Sequence, residues 1–106
     1  MPWYFYIVHF VAGLFLANSI PHFVNGISGR MFTSPFGKPP GRGESSAISN
    51  VIWGEINLII GGLLLWFWPL AMPFEALDVI VFAVGFFIAA LGLANAFSRR
   101  RMGMPM

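Results

Sequence analysis

Three long apolar stretches, residues 3–24, 47–67 and 77–97, constrain this chain more than any other feature. Each is close to the ~20 residues that cross a hydrocarbon core of ~30 Å as a helix. Only 9% of the residues are charged, against roughly 25% in an ordinary soluble domain. A water-facing surface cannot be assembled from so few charges, so lipid is the expected solvent. There, backbone polar groups must be satisfied within the segment, and that selects helices. The expected fold is all-α: one integral membrane domain over residues 1–106, with three transmembrane helices and a loop at 25–46. The N-terminal run has no basic residues ahead of it and carries aromatics to Tyr6, then His9. It reads as a retained helix and not as a cleaved signal peptide.

Chain connection and charge set the expected arrangement. Residues 69–74 form a short link without a base, and short links join antiparallel neighbours, so the second and third spans are expected to form a helical hairpin. The 25–46 loop, rich in Gly, Pro and Ser, is either an ordered turn-rich segment or a flexible one. All six bases lie in that loop (Arg30, Lys38, Arg42) or in the C-terminal tail (Arg99, Arg100, Arg101), whereas the opposite side holds Glu75 and Asp78. By the positive-inside rule the loop and the C-terminus are cytoplasmic and the N-terminus is outside. Trp3, Tyr4 and Tyr6 open the first span and Trp66 and Trp68 close the second. Both clusters then fall at the outer interface, where amphipathic rings prefer to sit.

Within the spans, small residues mark where backbones can approach. The second span carries Asn50, Gly54, Asn57 and Gly61, and the third Gly85, Ala89, Gly92 and Ala96, both at i, i+4, i+7, i+11. These are expected packing seams. The alternative makes them room for a flat ligand such as a pigment or quinone. Glu55 lies about two turns inside the second span, where a carboxylate costs on the order of 2–3 kcal/mol. It calls either for a structural hydrogen bond, to Asn18 or His22, or for a proton or cation site. Asn18, His22, Glu55 and Asn95 sit at comparable depth and are expected to form one polar cluster. Pro21 removes the hydrogen bond to the Ala17 carbonyl, and Asn18 and Ser19 are placed to help satisfy that carbonyl or to bond a neighbouring helix. His9 and His22 lie at opposite ends of one helix and on nearly opposite faces, so they cannot share a cofactor within one copy. No catalytic triad, metal box or phosphate loop is present. The lack of cysteine excludes disulfides, thiolate metal sites and Fe–S clusters. Nucleic acid is not an expected partner, since its recognition needs a soluble basic patch.

The stretch IPHFVNGISGR (residues 20–30), with FTSPFGKPPGRGESS and NVIWG after it, resembles a run in small uncharacterised three-helix membrane proteins of alphaproteobacteria. It covers roughly the first half of the chain and implies a bacterial inner-membrane location. In size and span count the chain is also similar to the accessory protein that interrupts the light-harvesting ring around some purple-bacterial reaction centres. That likeness implies a photosynthetic role, in which a subunit leaves a gap for quinone and touches a pigment or quinone of its partner. A third likeness is to the three-helix half-transporters of the PQ-loop sugar carriers. Here, however, Pro21 is followed by His22 and not by Gln, and the first loop is longer.

Together these features lead to the expectation of a non-enzymatic accessory subunit with no intrinsic cofactor. It would dock, within the bilayer, into a larger photosynthetic or respiratory complex. The alternative is an oligomeric small-solute or proton-coupled transporter using Glu55.

Overall fold

A computed structural model describes residues 2–70 and 76–101. Its elements are α1 (Trp3–Ile27), β1 (Phe32–Thr33), β2 (Glu44–Ser45), α2 (Ala47–Phe67) and α3 (Ala76–Arg101). All three helices are long and apolar enough to cross a membrane. Two of them outrun their apolar stretches: α1 continues to Ile27 and α3 to Arg101. Arginine is a good helix former, and cations are favoured at the negative end of a helix dipole, so the basic segment prolongs α3.

The helix ends are specified locally. After α1, Gly29 adopts a positive φ of 76°. The Gly29 amide donates to the Gly26 carbonyl and the Arg30 amide to that of Asn25, the paired bonds of a Schellman motif. The Ser46 hydroxyl caps α2 by accepting from the Ser49 amide at 3.1 Å, satisfying one orphan donor of the first turn. Between these ends, β1 and β2 pair antiparallel, Phe32 opposite Ser45 and Thr33 opposite Glu44. The loop is thus an ordered ribbon, folded back so that Phe32, Ser34 and Ser45 are buried.

The central helix is α1. It packs along both α2 and α3, and these two share little contact with each other. The expected hairpin of the second and third spans is therefore not the packing unit. The reason lies in where backbones come close. A Cβ at Gly54 of α2 would stand 2.6 Å from the backbone nitrogen of Phe23, and one at Gly85 of α3 would stand 2.4 Å from the Phe10 carbonyl oxygen. Both seams fit α1. Residues 71–75, which include Glu75 and most of the short link, lie outside the described residues.

The buried residues of α2 are Asn50, Gly54, Asn57 and Gly61, the four positions of its ridge. On α3 the outcome differs. Gly85 is buried and Ala89 and Ala96 are half-buried, but Gly92 is exposed, with nothing within 4 Å of where its Cβ would be. The inward face passes through Leu93 instead. A helix advances 3.6 residues per turn, and the face centred on Asp78, Phe82, Gly85 and Ala89 leaves Gly92 at its edge.

Large apolar side chains point outward: Trp66, Phe67, Phe87 and Ile88 are all more than half exposed, whereas the largest fully buried side chains are His9, Asn50 and Asp78. Such an inverted distribution suits a chain whose solvent is hydrocarbon and whose helices are held by polar groups and close contact.

Candidate functional site: three polar clasps and an outward carboxylate

At one end of the bundle His9 ties all three helices together. Its Nδ1 meets the Asp78 carboxyl of α3, and its Nε2 meets the carbonyl of Trp68 at the end of α2. A carbonyl oxygen only accepts, so Nε2 carries a hydrogen and donates. One further proton is shared between Nδ1 and Asp78, giving either an imidazolium–carboxylate pair or a neutral imidazole and carboxylic acid. In both forms the pair is neutral overall and both ring nitrogens are satisfied. Both side chains are fully buried. The edge of Phe5 closes over the imidazole, with ring centroids 6.0 Å apart. The Trp68 carbonyl follows the last turn of α2, where acceptors lack intrahelical partners. Sequence reasoning left this clasp out. The available signal was depth: His9 lies less than two turns, and Asp78 within the first turn, inside the same end of their helices.

A second clasp joins the middles of α1 and α2. The Asn18 amide donates to Asn57 Oδ1 at 3.1 Å, and the Asn57 amide donates to the Trp53 carbonyl at 2.8 Å. Asn18 therefore bonds a neighbouring helix, while Ser19 donates to the Leu16 carbonyl at 2.6 Å. Neither takes the Ala17 carbonyl freed by Pro21.

The third clasp, at the basic end, is built on Asn50. Its Nδ2 lies among four oxygens: the carbonyls of Phe32 (3.0 Å), Ser45 (3.2 Å) and Ser46 (3.1 Å) and the Ser45 hydroxyl (2.9 Å). Carbonyls cannot donate, so the amide orientation is fixed, and Oδ1 is left to accept from His22 Nδ1 at 2.9 Å. Aromatic rings of Phe32, Trp53 and Phe97 surround His22 edge-on. The ridge residue Asn50 is thus also the hub that fastens the ribbon to α1 and α2.

The four residues expected to form one cluster are not brought together. Asn18 and His22 take separate partners on α2, Asn57 and Asn50. Asn95 is exposed and accepts from Arg99 Nε within α3, at 3.3 Å. Glu55 is exposed on the outer face of α2 and pairs with neither Asn18 nor His22. The face of α2 toward α1 is already occupied by Asn50, Gly54, Asn57 and Gly61, and Glu55 projects away from it. Around Glu55 runs a second ridge at helical spacing: Ile48, Ile52, Ile59, Gly62 and Trp66, all exposed.

An open apolar cleft of about 240 Å³ lies between α1 and α3, its walls including Ala17, Pro21, Phe86, Ala90 and Ala94. Its small residues are alanines of a different stripe from Gly92. Among the described residues no three His, Asp or Glu side chains converge as metal ligands would. Comparison with known protein families, curated proteins and solved structures finds no match to this chain.

Proposed function

We propose that this chain is a non-enzymatic accessory subunit that packs its α2 face against another protein within the bilayer. The observation that carries the reading is Glu55. It lies eight residues beyond the start of α2, about 12 Å along the axis at ~1.5 Å per residue, and it faces outward. A carboxylate left there in lipid costs on the order of 2–3 kcal/mol. A partner helix with a hydrogen-bond donor removes that cost, and Gly62 two turns further on allows close backbone approach. The interior supports the same reading: the buried polar groups of the three clasps are committed to holding helices and ribbon together. The host would be a photosynthetic assembly, the class implied by the likeness in size and span count, or a respiratory one. Contact with its pigment or quinone belongs to the same proposal.

The chain would sit in the bacterial inner membrane with its N-terminus outside and its basic end in the cytoplasm, on the split of all six bases to one side. A reporter fused after Met106 should be active only in the cytoplasm, and periplasmic activity would overturn the orientation. The docking reading is tested by mild-detergent native fractionation with identification of co-migrating chains. Migration with a larger complex is expected. A lone band of the chain's own size contradicts it.

The outward position of Glu55 also favours a second reading, a homo-oligomer with Glu55 lining a shared transport path. Glu55→Gln separates the two. The amide keeps shape and hydrogen bonding, so a docking subunit assembles normally and its host turns over nearly normally. A coupling acid cannot be replaced in this way. A variant that assembles but is dead decides for transport.

A further inference from the structure

At the basic end, a cavity of about 250 Å³ opens between the end of α1, the ribbon and the end of α3. Four of its lining residues are arginines from three separate parts of the chain: Arg30, Arg42, Arg100 and Arg101. Its one acid is Glu44, and none of these arginines forms an ion pair with it or with any other described residue. The Arg100 guanidinium lies over the Phe97 ring, 5.4 Å from its centroid, and its Nε–H is out of contact with water and has no acceptor among the described residues.

Charge accounting shows what is missing. The C-terminal ends of α1 and α3 each present about half a negative charge, and Glu44 adds one more. Against four guanidinium groups, about two positive charges are left without compensation. A solvated basic surface would spread such groups apart in water. Here four of them line one cavity, three exposed and Arg100 part-buried.

We propose that this cavity binds a phosphate-bearing anion. Guanidinium groups match phosphate oxygens in paired hydrogen bonds, and four of them line this cavity. The two sources of that chemistry are the headgroup of an anionic phospholipid and free phosphate. Position is compatible with the first: Arg100 and Arg101 close an apolar helix, where a span meets the headgroup layer, and basic pockets between spans on the cytoplasmic side take lipid headgroups.

The test uses the purified full chain in neutral detergent, with bound lipid read by native mass spectrometry. The probes are phosphatidylglycerol, phosphatidylcholine and inorganic phosphate at constant ionic strength. The wild type should retain phosphatidylglycerol over phosphatidylcholine. Arg42→Gln should weaken that retention by at least about tenfold, the loss of one charge-assisted contact. Arg99→Gln removes an equal charge outside the cavity and should change retention little. If phosphatidylglycerol is held and inorganic phosphate does not displace it, the ligand is the lipid headgroup. If inorganic phosphate displaces it at millimolar levels, the same site serves free phosphate. Equal retention of both lipids overturns the site, as does equal loss in Arg42→Gln and Arg99→Gln. Circular dichroism of both variants should match the wild type. A loss of helix confined to Arg42→Gln would make the arginine structural and also overturn the proposal.

Discussion

Two glycines on one helix should respond oppositely to the same substitution. At Gly85 an added Cβ would lie 2.4 Å from the Phe10 carbonyl oxygen and 3.1 Å from two further backbone atoms of Phe10. An ordinary carbon–oxygen contact is about 3.3 Å, so Gly85→Ala forces α1 and α3 apart locally by about 0.9 Å. No side chain can rotate away, because the obstacle is backbone. A gap of about 0.5–1 Å forfeits a quarter to a half of each dispersion contact along the seam, and overpacking of this kind costs about 1–3 kcal/mol. The His9–Asp78 clasp spans the same two helices two turns away and would be strained as well. Gly92 has nothing within 4 Å, so Gly92→Ala should be neutral or gain up to about 1 kcal/mol in helix propensity. Unfolding in mixed micelles by SDS titration, followed by circular dichroism, reads both variants against wild type. A Gly85→Ala variant as stable as wild type, or a Gly92→Ala variant equally destabilised, would refute the packing of α3 on α1.

Removing one member of the His9–Asp78 clasp, as in Asp78→Leu, leaves the buried partner without its proton-sharing group and should cost about 3–5 kcal/mol. The double variant His9→Leu/Asp78→Leu should recover much of that in the same SDS titration, since both polar groups are gone. Asn50→Leu strips the donor from the Phe32 and Ser45 carbonyls, at about 1–3 kcal/mol for each group left unsatisfied. Limited trypsin digestion should then cut after Arg42 faster than in wild type, and an unchanged rate would contradict the role of Asn50 in holding the ribbon.

Span number and the inward face of α2 were legible because they rest on periodicity: Asn50, Gly54, Asn57 and Gly61 repeat with the helix, and only one face can hold them. Gly92 has the same periodicity and faces outward, since spacing fixes a stripe but not which neighbour meets it. The pairing of helices was misjudged for a related reason. A short link brings α2 and α3 together in sequence, yet the close backbone approaches at Gly54 and Gly85 are both to α1. Glu55 was placed inward because a carboxylate in lipid is costly, an argument that leaves out that the inward face of α2 is already filled by Asn50, Gly54, Asn57 and Gly61. The His9–Asp78 clasp needed only the depth comparison made at the other end of the bundle.

The central claim is that the Glu55 face of α2 is covered by another protein. A photo-crosslinking residue at Ile59, one turn from Glu55 and half exposed, tests it directly in native membranes. Ile80 of α3, similarly exposed, serves as the comparison. Ile59 is expected to give a discrete protein adduct heavier than two copies of this chain, one that Ile80 does not give. An adduct of twice the chain's own mass would move the account to the homo-oligomer. Lipid adducts alone at both positions would contradict it.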